Sequence, residues 1–172
     1  MRILGFSKRA AILVALFASL AAVIAYVGYD RLGEARPEPI QAAAGEGHLE
    51  LVTSSGVHVF DVEIATTPEK QALGLMFRTT LPETKGMLFP HEAPREVTMW
   101  MRNTYIPLDM VFIRADGTVH RIEKRTEPLS ERVIASQGPV AAVLEIAGGL
   151  AEKLGLQPGD KVRHPYFAAP AP

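Results

Sequence analysis

The chain reads as a mostly β protein with a minor α contribution: a single compact β-sandwich or barrel-like domain with two short helices, preceded by an N-terminal transmembrane or signal helix. Three observations predict this. Apolar and polar residues alternate with period two in short runs after residue 47, broken by Gly, Pro, Asn and Asp turn signals. Helix signals are confined to two short stretches, too few for the crossovers of a parallel α/β fold. Residues 10–29 carry no charge at all, although 22% of the 172 residues are charged.

That charge-free run, Ala10 to Tyr29, follows a basic start with Arg2, Lys8 and Arg9 over residues 1–9. As a helix it would be about 30 Å long, the thickness of a bilayer core. The basic flank favours a cytoplasmic N-terminus and places everything beyond Asp30 on the exported side. An uncleaved anchor is favoured over a cleaved signal because the run is long and contains no Ala-x-Ala pair; the nearest is Ala42-Ala43-Ala44. The expected location is therefore the inner membrane with a periplasmic domain, or the periplasm or exterior if the segment is removed. Residues 30–47 are rich in Pro, Gly, Ala and charge and read as a linker. The domain is expected over 48–166 and a flexible Pro/Ala tail over 167–172.

Within the domain, His48 to Thr53 and Val57 to Ala65 alternate around Ser54-Ser55-Gly56 and form a hairpin. Val57, Val59 and Phe60 compete for its inner face, and Asp61 and Glu63 project together. Thr67 caps a short helix whose first residue is Pro68, and Leu73, Met76 and Phe77 share one of its faces. Pro82, Gly86, Pro90 and Pro94 restrict residues 78–98 to loops around a short strand, Met87 to Phe89. Glu96 to Met101 is β-branched and aromatic and reads as a strand. Asp109 to Ala115 and Thr118 to Glu123 flank Asp116-Gly117, the strongest hairpin signal in the chain. Val140 to Ile146 is a further strand, Gly148 to Gly155 one helical turn, and Lys161 to His164 a last strand.

Composition excludes several function classes. Residues 1–36 carry +3 and residues 37–172 carry −4, so the domain offers no electrostatic footprint for nucleic acid. There is no Cys, which excludes disulfides, lipid attachment on Cys, covalent c-type haem, thiolate zinc and a Cys nucleophile. No serine lies in a Gly-x-Ser-x-Gly elbow, and the five histidines are scattered without metal-ligand spacing. Gly148-Gly149 belongs to no dinucleotide or phosphate loop, and Lys124-Arg125 is a solvated basic step. Neither a cofactor nor a metal is expected. Met99 and Met101 would share a strand face and could offer thioethers to cuprous copper, but Met among apolar neighbours is first a core filler.

Polar residues set among apolar runs remain: Arg78, Trp100, Arg102, Asn103, Thr104 and Asp109, with Glu145 inside an otherwise apolar strand. Charges in such surroundings are exposed or paired. One reading pairs Arg78 with Asp109 or Glu145 and uses Asn103 and Thr104 to satisfy a turn. The other makes the six residues a ligand-binding pocket, with Arg78 and the amide and hydroxyl groups as donors and Trp100 as an apolar wall.

Three segments also carry a resemblance. G-L-M-F-R at Gly74 to Arg78, G-M-L-F at Gly86 to Phe89, and W-M-R-N-T-Y-I-P-L-D at Trp100 to Asp109 with the following Asp116-Gly117 hairpin resemble domain-of-unknown-function family 192. The similarity runs from about Val57 to Val162. It implies a compact, mostly β single domain, often exported, and no activity, cofactor or catalytic residue. Met99 stands where that family more often has an aromatic residue, and Arg102 where Lys is usual. The function expected is an exported cell-envelope module that binds a small anionic or polyhydroxylated ligand or a partner protein, with the membrane contacted through residues 10–29 and no nucleic acid. The alternatives are a glycan-directed envelope hydrolase built on Asp61, Glu63, Arg78 and Asp109, and a structural or assembly protein.

Overall fold

The computed structural model describes residues 46–168; the segment 10–29, most of the linker and the last residues of the tail lie outside them. Among the described residues no helix is long and apolar enough to cross a membrane. Nine strands and three short helices form the domain: β1 (Glu46–Thr53), β2 (Gly56–Ile64), α1 (Pro68–Leu73), β3 (Lys85–Arg95), β4 (Thr98–Met99), β5 (Leu108–Ile113), β6 (Val119–Glu123), β7 (Ile134–Ala135), β8 (Val140–Ala147), α2 (Leu150–Lys153), β9 (Lys161–Arg163) and α3 (Pro165–Ala168). The folded part is thus wider than 48–166. Glu46 and Gly47 already pair in β1, and Phe167 packs against the core instead of starting a tail.

Seven strands form one sheet in the order β6-β5-β8-β3-β2-β1-β9, and β4 pairs with β7 in a separate ribbon. Only β2 and β3 run parallel, joined by the crossover through α1; the other neighbours are antiparallel. The two outer strands meet. Thr118 bridges Lys161, Val119 N–H donates to Asp160 O at 2.9 Å, and Val162 N–H donates to Gly117 O at 2.8 Å. The sheet is therefore a nearly closed barrel, which leaves few unpaired strand edges.

Its interior is filled by side chains from every strand of the sheet, among them Leu49, Phe60, Leu88, Val111, Val119, Leu144 and Val162. A second apolar layer, with Leu75, Met87, Phe89, Met101, Met110 and Val143, lies on the outer face of β3, β8 and β5. β8 is covered on both faces, which explains why its sequence is a continuous apolar run and not an alternating one.

Several local expectations are corrected. Phe60 and Val62 take the inner face of β2, while Val57 and Val59 are exposed beside Asp61 and Glu63. Thr67 caps α1 as expected, accepting the Lys70 N–H at 3.3 Å, but Gly74 ends the helix after six residues. Leu75 is therefore the buried residue, and Leu73 and Phe77 point to solvent. β3 is longer than Met87 to Phe89, with an irregularity between Pro90 and Arg95. The strand expected over Glu96 to Met101 contracts to Thr98–Met99, so Met99 and Met101 share no strand face. Met101 is instead fully buried and accepts the Thr126 hydroxyl at 3.1 Å. The Asp116-Gly117 turn is a five-residue loop with Gly117 in the left-handed region at φ 74°, where a Cβ would stand 2.6 Å from Val162 O. α3 is the third helix, where two were expected.

Candidate functional site

Strand register places five residues in one row across the outer face of the barrel. Glu63 of β2 pairs with Met87 of β3, Met87 with Glu145 of β8, Glu145 with Met110 of β5, and Met110 with Glu123 of β6. Directly opposed residues on neighbouring strands point to the same side of a sheet, so three carboxyls alternate with two thioethers. Gly86 allows β3 to lie close to β8 here; a Cβ on it would stand 2.7 Å from Glu145 O.

The three carboxyls meet different surroundings. Arg78, brought over the row by the loop after α1, donates to both oxygens of Glu63 at 2.5 and 2.8 Å. That hydrogen-bonded guanidinium lowers the Glu63 carboxyl below the usual carboxylate range, and the pair remains partly exposed. Glu123 is similarly lowered, by Arg132 and Arg121. Glu145 is only 4% exposed. Burial pushes its carboxyl up to about 8, opposed only by the charge of Arg78. At neutral pH the folded chain thus holds an ionised Glu63 and a protonated Glu145 on either side of Met87.

The loops above this row are tied to one another through their backbones. Phe77 N–H donates to Asn103 O at 2.8 Å, Leu129 N–H to Thr104 O at 3.0 Å, and Met101 N–H to Ser130 O at 2.9 Å. Phe77, Asn103 and Leu129 all have positive φ, at 64°, 57° and 62°. For Asn this is common; for Phe and Leu it is a costly conformation. Both apolar side chains are held outward, Phe77 at 55% exposure, edge-on to the exposed Tyr105 with ring centroids 6.1 Å apart.

The six residues expected to form a pocket divide into three groups. Arg78 pairs with Glu63, not with Asp109 or Glu145; it reaches Glu145 only through its charge. Trp100 and Arg102 project from one loop and stack, with the guanidinium 4.3 Å from the ring centroid; Trp100 is 47% exposed and Arg102 also pairs with Glu131 at 3.2 Å. Asn103 and Thr104 complete the turn between them: Thr104 N–H donates to Met101 O, and the Asn103 side-chain amide lies 4.0 Å from the Met76 sulfur. Asp109 belongs elsewhere. It is fully buried and accepts N–H groups from Arg125 at 2.7 Å, Gly149 at 2.9 Å and Ala151 at 2.7 Å, holding α2 and the turn after β6. Because Asp109 is one residue from Met110, it points to the opposite face of β5 from the Glu145 row. Asp61 is also separate, at the surface beside His48 and Lys85. Glu63 as the partner of Arg78 is not an expectation of the sequence, since no local signal aligns β2 with β3. Among the described residues no three His, Asp or Glu side chains are grouped to hold a metal.

Two cavities lie away from this row. One of about 820 Å³ is lined by Gln71, His91, Arg95 and Tyr166 among others, and one of about 680 Å³ by residues of β1, β9 and α3.

Comparison with known proteins adds relatives without adding a reaction. Residues 50–164 match the model of a family described as "Uncharacterized ACR", DUF192. A solved structure titled as a putative transcription regulator from Sinorhizobium meliloti 1021 is 44% identical, with a TM-score of 0.67 over 71% of this chain and 95% of that one. A protein of unknown function from Novosphingobium aromaticivorans DSM 12444 is also 44% identical, with a TM-score of 0.68 over 74% of this chain and 90% of that one. No curated protein matches the chain.

Proposed function

Because the chain belongs to domain-of-unknown-function family 192, a family described only as uncharacterized, we propose a function from the site itself: an exported cell-envelope module that binds a polyhydroxylated ligand, a glycan. Export rests on the charge-free run 10–29 behind Arg2, Lys8 and Arg9. Ligand class rests on one observation. Exposed aromatic rings, Phe77 against Tyr105 and Trp100 on the loop that carries Tyr105, stand on backbone-tied loops, and Arg78, next to Phe77 in the chain, has its fork already filled by Glu63. A ligand anion would have to displace that carboxylate, whereas sugar hydroxyls can bond the outer edges of the planar pair while a sugar face stacks on a ring.

Trp100 is the only tryptophan, so its fluorescence reports on the loop that also carries Tyr105. Titration of the chain with neutral cello-, chito- and maltotetraose should give a saturable emission shift with at least one of them, lost in Arg78→Met. No shift up to about 10 mM, which would bound binding at weaker than about −3 kcal/mol, overturns the reading.

One observation favours a second reading, a glycan-directed hydrolase. Glu63 lowered and Glu145 raised are the split between an ionised and a protonated carboxyl that glycoside cleavage uses. Here Glu145 would donate the proton to the leaving oxygen and Glu63 would act as base or nucleophile. Release of new reducing ends from the same tetrasaccharides, abolished in Glu145→Gln, separates hydrolysis from binding.

A further inference from the structure

The cavity of about 820 Å³ is built where α1 begins, where β3 bends and where α3 closes over the sheet. It shares no residue with the Glu63–Glu145 row. Its volume lies within the range of small-molecule sites, and strand irregularities such as that between Pro90 and Arg95 recur beside binding sites.

Its polar groups are fixed but unused. Gln71 donates its side-chain amide to Ala65 O at 3.1 Å and to Pro90 O at 2.9 Å, which immobilises the carboxamide and leaves its oxygen as a free acceptor. Tyr166 braces the opposite wall, its hydroxyl 2.6 Å from His91 O and 2.9 Å from Ala141 O. Arg95 and Glu92 both line the cavity, and neither forms an ion pair among the described residues. Ile64 and Pro68 supply apolar wall.

We propose that this cavity is a second binding site, for a zwitterionic ligand of di- or tripeptide size. A simple anion would meet Glu92 and a simple cation would meet Arg95; a molecule with both charges satisfies each. Glu92 and Arg95 both lie on the part of β3 that slips register against β8, so the bulge carries the two charges to one cavity whose volume admits a di- or tripeptide. The carboxylate goes to Arg95 and the ammonium to Glu92. An amide N–H between them meets the free Gln71 oxygen.

The test is calorimetric titration of the full chain in detergent micelles with trialanine, N-acetyl-trialanine and trialanine amide. Trialanine should bind saturably, and blocking either terminus should weaken it by about tenfold or more, the scale of one charge-assisted hydrogen bond. Arg95→Gln should erase the effect of amidation only, and Glu92→Gln the effect of acetylation only. Both side chains are exposed, so an unchanged urea midpoint checks that these variants fold. Trp100→Ala should bind trialanine like the parent, which keeps this site distinct from the proposed glycan surface. Absence of saturable heat up to about 10 mM, equal binding of the blocked peptides, or parent-like behaviour of both charge variants overturns the proposal.

Discussion

Replacing Glu145 by Gln tests the buried carboxyl directly, because the amide keeps its shape and removes its titration. A folded-state value of about 8 against an ordinary 4.5 means that the native chain holds a proton that the unfolded chain has released throughout that interval. Stability contributed at this position is therefore greatest below about pH 4.5, falls as pH rises, and levels off above about 8. At 1.36 kcal/mol per tenfold change in proton activity, the penalty is about 3 kcal/mol at pH 7 and approaches about 5 kcal/mol above pH 8. Gln incurs none of it. An unpartnered amide has its own desolvation cost of about 1–3 kcal/mol, but that offset does not vary with pH. The quantity to measure is thus the stability of Glu145→Gln minus that of the parent, from urea unfolding between pH 5 and pH 9. It should rise by about 2.5 kcal/mol from pH 5 to pH 7 and flatten above about 8, which over that interval enlarges the urea midpoint difference by about 1–2 M. A flat difference curve would refute the reasoning, since it would mean that the carboxyl ionises as easily in the fold as outside it.

Two further outcomes follow from other sites. Asp109→Ala strands the N–H groups of Arg125, Gly149 and Ala151 in the interior and should destabilise the domain by about 3 kcal/mol or more in urea unfolding, Asp109→Asn less. Phe77→Gly relieves a left-handed conformation at an exposed position and should stabilise the domain by about 1 kcal/mol while weakening tetrasaccharide binding; lost stability would show that the Phe77–Tyr105 contact outweighs the strain.

How much of this was legible in the chain depended on the range of the forces involved. β8 and the β1–β2 hairpin were readable because an apolar run and the Ser54-Ser55-Gly56 turn are local signals, and Thr67-Pro68 announced α1 for the same reason. The Arg78–Glu63 pair was not, because it arises from register across the parallel β2–β3 pairing, set only once the crossover has closed. Asp109 and Glu145 look alike in sequence, single acids within apolar strands. Register separates them, turning one toward the backbone of α2 and the other toward the outer layer. β7 and α3 are too short to carry a period, and nothing in the chain marks Phe77 or Leu129 for the left-handed region.

The pairing of β1 with β9 also sets a timetable. Glu50, Leu51 and Val52 find their outer partners only in Arg163, Val162 and Lys161, so the first strand waits for the last and the sheet cannot close before nearly the whole chain exists. At about 5–20 residues per second, that leaves the domain several seconds of synthesis without a closed barrel, behind an apolar segment that emerged first. The same strand order that finishes the barrel keeps it from finishing early.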